Sequence, residues 1–148
     1  MSSRDLKNNL AIVHLLSAQD LADADTASLI LDTAGFESAG LAVNVGALVG
    51  VDANNFLVIT AQECATTVGA DFTTVAAADL ESAFTLIDAA AEDEVTQFVG
   101  YKGSLRYIRA YLNFTDAGPL GATPCAVIGL LGHPRHMPAV APAAVTAT

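Results

Sequence analysis

Few residues in this chain have the types and spacing that chemistry needs. His133-Pro134-Arg135-His136 places two imidazoles close together. A metal site needs about four ligands, or three plus water, and neither cysteine lies near in sequence. The proline also excludes a helical pairing of the two rings, so a surface contact or tail anchor is the expected role. Asp20, Asp23 and Asp25 are spaced closely, but the stretch lacks the glycine and distal glutamate of a calcium loop, which makes it a solvated loop. Glu92-Asp93-Glu94 borders a strand-like run, where a charge run is usually solvated, and the sequence implies no second acidic partner for a catalytic pair. No G-x-S-x-G, phosphate-binding glycine loop or paired-cysteine motif occurs. The expectation is a protein without catalytic residues, metal or cofactor.

One cluster remains. Lys102, Arg106 and Arg109 hold half of the six basic residues and interleave with Tyr101, Tyr107 and Tyr111. Tyrosine and arginine are favoured at the centres of protein interfaces. They equally stack across strands and guard sheet edges. With Arg4 and Lys7 near the start and His133, Arg135 and His136 near the end, these are the candidate partner-binding residues.

The elements that must position them read as strands. Tyr107, Arg109 and Tyr111 alternate with Ile108, Ala110, Leu112 and Phe114, the period-two pattern of a half-buried strand. With Glu94–Tyr101 before it, this segment predicts a hairpin turning at Lys102-Gly103-Ser104. A second hairpin is predicted from Ala39–Val49 and Phe56–Cys64 around Asp52-Ala53-Asn54-Asn55, a turn-forming quartet. Leu10–Leu16 is a continuous apolar run, expected to be a strand covered on both faces. Ser28–Asp32, Asp71–Val75 and Pro124–Gly132 complete the main strands. A helical turn near Ala78–Ser82 should precede a short strand at Phe84–Ile87. Eight or nine short strands predict an all-β antiparallel sandwich or barrel, jelly-roll-like, with extended arms. The division is an arm at residues 1–9, one β domain at 10–133, and an extended Pro/Ala-rich tail at 134–148.

Composition narrows the partners. A formal charge of −10 argues against general nucleic-acid binding. With 53% hydrophobic and only 15% charged residues, the surface must be poor in charge, which favours burial in an assembly. No apolar run reaches a membrane-spanning length. The first residues lack the pattern of a secretory signal, so synthesis in a cytoplasm is expected. Cys64 and Cys125 sit in strand-like runs and are expected to be free buried thiols.

Several segments occur in a suggestive order. They are Gly35-Phe36-Glu37-Ser38; Gln62-Glu63; Asp71 to Ala76; Asp79-Leu80; Phe84-Thr85; Val99 to Arg109; and Gly132-His133-Pro134. The ordered set resembles a widespread group of small tailed-bacteriophage virion proteins encoded near the major capsid gene. The resemblance spans most of residues 4–138. It implies a capsid decoration (cement) protein on the virion surface, a dimer or trimer bound to the major capsid protein. It supplies no catalytic residues. Related roles that such sandwiches serve are a head–tail connector, neck or tail component, and a receptor- or glycan-binding module on the virion.

Overall fold

The computed structural model describes residues 5–22, 24–115, 118 and 120–148. Two antiparallel sheets pack face to face. The first contains β1 (Leu10–Asp20), β9 (Pro124–Pro134), β4 (Phe36–Val45) and β7 (Val95–Tyr101), in that spatial order. The second contains β2 (Thr26–Ala27), β8 (Tyr107–Thr115), β5 (Phe56–Cys64) and β6 (Thr73–Thr74), with β3 (Leu31–Asp32) also paired to β8. If β2 and β3 are counted as one interrupted strand, the eight strands divide between the sheets in the order of a jelly roll, with β5 and β6 the one consecutive pair that shares a sheet. The sheets do not close into a barrel.

Alternation decides which residues meet between the sheets. Ala11, Val13 and Leu15 of β1, Leu41 and Val43 of β4, and Val127 and Leu131 of β9 face Leu57 and Ile59 of β5 and Ile108, Ala110 and Leu112 of β8. Leu15, Leu31, Leu57, Leu112 and Leu131 are wholly buried. Truncating any one to alanine would cost about 2–5 kcal/mol, as cavities in packed cores do.

Both expected hairpins are corrected. Tyr101 ends a strand paired with β4, whereas Tyr107 begins one paired with β5. The segment Lys102–Arg106 is therefore a crossing between sheets. Its first residue is held by Asp79 (Lys102 N–H to Asp79 C=O, 2.7 Å) and its last by Thr33, whose N–H donates to the Arg106 C=O (3.0 Å). The quartet Asp52–Asn55 does turn, with the Asp52 carboxylate accepting from Asn54 and Asn55 N–H groups, but it too lies on a crossing, from β4 to β5. A two-faced alternating pattern fixes which side of a strand is buried, not which strand lies next to it.

Smaller corrections follow. Leu10–Leu16 is not covered on both faces: β1 lies at a sheet edge, extends to Asp20, and leaves Ile12 57% exposed. Residues 6–9 form one helical turn, α1 (Leu6–Asn9), capped by Asp5, instead of an extended arm. The helical turn expected near Ala78–Ser82 is a 3-10 turn at Ala77–Asp79. Only Ile87 of the strand expected after it pairs, bridging to Leu57.

The tail from Arg135 is extended but not free. Ala139 N–H donates to Asn8 C=O (2.9 Å), and Val145 exchanges two bonds with Ile30 (2.8 and 3.0 Å). Leu29 N–H donates to Leu15 C=O (2.9 Å), which places Ile30 beside the far end of β1. Six extended residues span about 20 Å, enough to pass Leu10 to Leu15 of β1. The tail is thus tied near both ends of β1, with Pro142 between the two ties. Proline is a usual means of denying a sheet edge to other chains.

Candidate functional site

The predicted contact residues separate into three groups. Arg4 lies outside the described residues. Lys7 is exposed in α1. The remaining residues divide between the end of the sandwich and the outer face of the second sheet.

On the outer face of the second sheet, Tyr107, Arg109 and Tyr111 share one side of β8, as alternation requires. Arg109 is only 8% exposed. Its Nε donates to Gln62 Oε1 (2.8 Å), one terminal nitrogen donates to the Gly69 C=O (3.2 Å), and its guanidinium lies 4.1 Å from the Phe72 ring centre. Desolvation draws its pKa below the ordinary value. The loop after β5 folds back over this face and brings Phe72 with it. Tyr107 packs against the cluster of Ile30, Cys64 and Phe72, as does Val145. The expectation of an accessible basic-aromatic patch on one hairpin is corrected here: Arg109 is committed to holding the fold.

At the end of the sandwich, the β3–β4 turn, the β7–β8 crossing and the end of β9 converge. Arg106 and Arg135 line one shallow polar depression with Glu37, and Lys102 borders the next. Gly35, at φ +89, makes the tight turn that opens β4 and accepts from Arg135 N–H (2.9 Å). Arg106 is half spent. Its Nε and terminal nitrogen donate to both Asp32 oxygens (2.8 and 2.7 Å), and this bidentate bond holds the Asp32 carboxyl below its usual pKa. Tyr101 closes the corner. Its hydroxyl donates to Glu63 Oε2 (2.5 Å) and accepts from Leu105 N–H (2.9 Å); burial, then the Glu63 bond, push the phenol's pKa up. His133 Nδ1 lies 3.0 Å from Ser38 Oγ, and His136 is exposed nearby in sequence. Among the described residues, no three His, Cys, Asp or Glu side chains converge as metal ligands.

Sequence reasoning missed the largest feature. The outer face of the first sheet is mainly apolar, with the Glu81 side chain lying over Gly100 at its β7 end. Ile12, Leu130 and Gly40 stand side by side across β1, β9 and β4, and Ile128, Ala42 and Phe98 across β9, β4 and β7. Ile12 is 57% and Phe98 53% exposed. An open groove of about 410 Å³ runs along this face from Leu6 and Leu10 to Phe98 and Tyr101. Gly40 forms part of its floor because a side chain there would strike the Phe98 ring at 2.7 Å. The signal was the apolar continuity of Leu10–Leu16 and of Pro124–Gly132, which in an antiparallel sheet puts apolar residues on both sides. The basic end adjoins this groove, since His133 and Tyr101 border it.

Both thiols are free and buried, Cys125 in the main core and Cys64 in the smaller cluster. Burial, reinforced by the Asp20 charge, pushes the Cys125 thiol up to about 12, which leaves it inert at ordinary pH. Comparison with family models, with curated proteins and with solved structures gives no match.

Proposed function

We propose that this chain is a decoration (cement) protein of a tailed-bacteriophage capsid, binding the major capsid protein on the outer surface of the expanded head. The observation that carries the reading is the mainly apolar face formed by β1, β9, β4 and β7 on a chain of net charge −10. Apolar patches of this kind mark contacts, and the basic end beside it would meet carboxylates on the lattice. The ordered resemblance to small virion proteins points the same way. The jelly roll adds a weaker, associational support, because viral capsid domains use it among other families.

In this reading the protein acts without catalysis. Each copy, alone or in a dimer or trimer, adds interface across neighbouring capsid subunits, and binding favours the intact shell by mass action. Ile12 and Phe98 would sit in the contact. Lys102 and Arg135 would flank it and give the binding its salt dependence.

Co-sedimentation with purified expanded heads tests this. Ile12→Lys and Phe98→Lys should each weaken binding by about tenfold or more while the far-UV spectrum and unfolding midpoint stay near those of the parent, since both side chains are more than half exposed. Unchanged binding by both variants would reject this face as the contact.

A further inference from the structure

We propose that His14 makes the capsid contact pH-dependent: the neutral ring fits within the contact, and the charged ring weakens it. The inference rests on the reading of the first sheet's outer face as that contact. Directly paired residues of antiparallel strands point to the same side of their sheet. His14 pairs with Ile128, Ile128 with Ala42, and Ala42 with Phe98. His14 is therefore the β1 member of the row that holds Ile128 and Phe98, two of the exposed apolar side chains of this face. The row on one side holds Ile12, Leu130, Gly40 and Gly100. The row on the other holds Ala126, Asn44 and Thr96. Among the residues named in these three rows, His14 is the only titratable one.

Histidine is the side chain whose charge ordinarily changes between about pH 5 and 8, and a charge is costly to take out of water without a counter-charge. As a neutral group the ring already has a polar neighbour, since Nε2 lies 3.2 Å from Ser17 Oγ. Among the described residues, no carboxylate is placed to receive the charged ring. Beside it β9 presents Ile128 and Leu130, and beyond them β4 presents Ala42 and Gly40. On β1 the carboxylate is Asp20, six residues further on, which accepts from the Thr123 and Ala22 N–H groups (2.9 and 3.0 Å). In α1's cap, Asp5 accepts from Asn8. Glu81 lies over Gly100 of β7, three strand spacings or about 14 Å away. Lys7 of α1 and His133 beside Ser38 stand toward the Leu10 end and carry no negative charge to offset the ring. Residues 137–148 of the tail have no charged or titratable side chain. Protonation thus adds an unpaired charge to a mainly apolar contact. Binding favours the neutral ring and weakens as pH falls.

Co-sedimentation of the full chain with purified expanded heads, at about pH 7.5 and about pH 5.5, tests this. The parent should bind about tenfold more weakly at the lower pH. His14→Gln, polar but never charged, should bind nearly equally at both. His14→Lys, charged at both, should bind weakly at both. His133→Gln combined with His136→Gln should leave the parent's pH response in place, which separates His14 from the other two imidazoles. His14 is exposed, so its variants should unfold near the parent's midpoint. Binding that weakens equally in the parent and in His14→Gln overturns the inference, as does parent binding that is the same at both pH values. Either result leaves the contact reading standing. No binding by the parent at either pH overturns that reading and this inference with it.

Discussion

Arg109 carries a full charge into a nearly closed site where Gln62, the Gly69 carbonyl and the Phe72 ring, not a carboxylate, receive it. Such a group stabilises only while every partner is in place, because each one left unpaired in the interior is costly. Arg109→Ala should lower stability by about 2–4 kcal/mol in urea unfolding, with the loss shared by Gln62→Ala in a double-mutant cycle. Asp32 and Asp20 give a pH dependence. The Arg106 bond depresses the first, and the Thr123 backbone N–H leads the effects that depress the second. Folded values below the ordinary aspartate range mean that this stability is present above that range and is lost as pH falls through the lower folded values. Thermal melts from pH 6 downward should therefore fall steeply only below about pH 4, and Asp32→Asn should flatten that fall. Nothing in the sequence marked Arg109 as buried. Its alternation with Tyr107 and Tyr111 placed it correctly on the outer side of β8, but the loop that covers this side returns from a distant part of the chain.

At the scale of elements, strand positions and buried faces were readable, and strand neighbours were not. Ile108, Ala110, Leu112 and Phe114 are inward as their spacing predicts, and so are Leu41, Val43 and Val45. The glycine and asparagine turns suggested hairpins because short turn-rich links usually make them. Here the same residues serve sharp crossings between two sheets. The pairing can be checked chemically. Asn44 Nδ2 donates to Thr96 Oγ1 at 2.8 Å across β4 and β7, so Asn44→Cys with Thr96→Cys should form a disulfide on mild oxidation. Retention of both free thiols by mass spectrometry would contradict that register. The tail gives a second check. Removing residues 138–148 takes away Ala139, Ala144 and Val145, which pack on the two buried clusters. The truncated chain should lose about 1–3 kcal/mol and self-associate through the uncovered β1, as light scattering would show.

For the whole molecule, two surfaces differ from the rest of an acidic chain. One is the apolar outer face of the first sheet; the other is the end where Lys102, Arg106 and Arg135 gather. Composition, with 53% hydrophobic and only 15% charged residues, pointed to a surface poor in charge and favoured an assembly over a monomer with a neutral surface. It did not say where, because a strand's outer face is hidden or open according to what folds over it. On the second sheet the loop carrying Phe72 does so; on the first, nothing among the described residues covers Ile12, Ile128 and Phe98 fully. The proposed lattice contact uses that difference. The most direct measurement is the number of copies per virion, by quantitative mass spectrometry against the major capsid protein. The account predicts a ratio near one or a simple fraction of it; a handful of copies, or none, would contradict it.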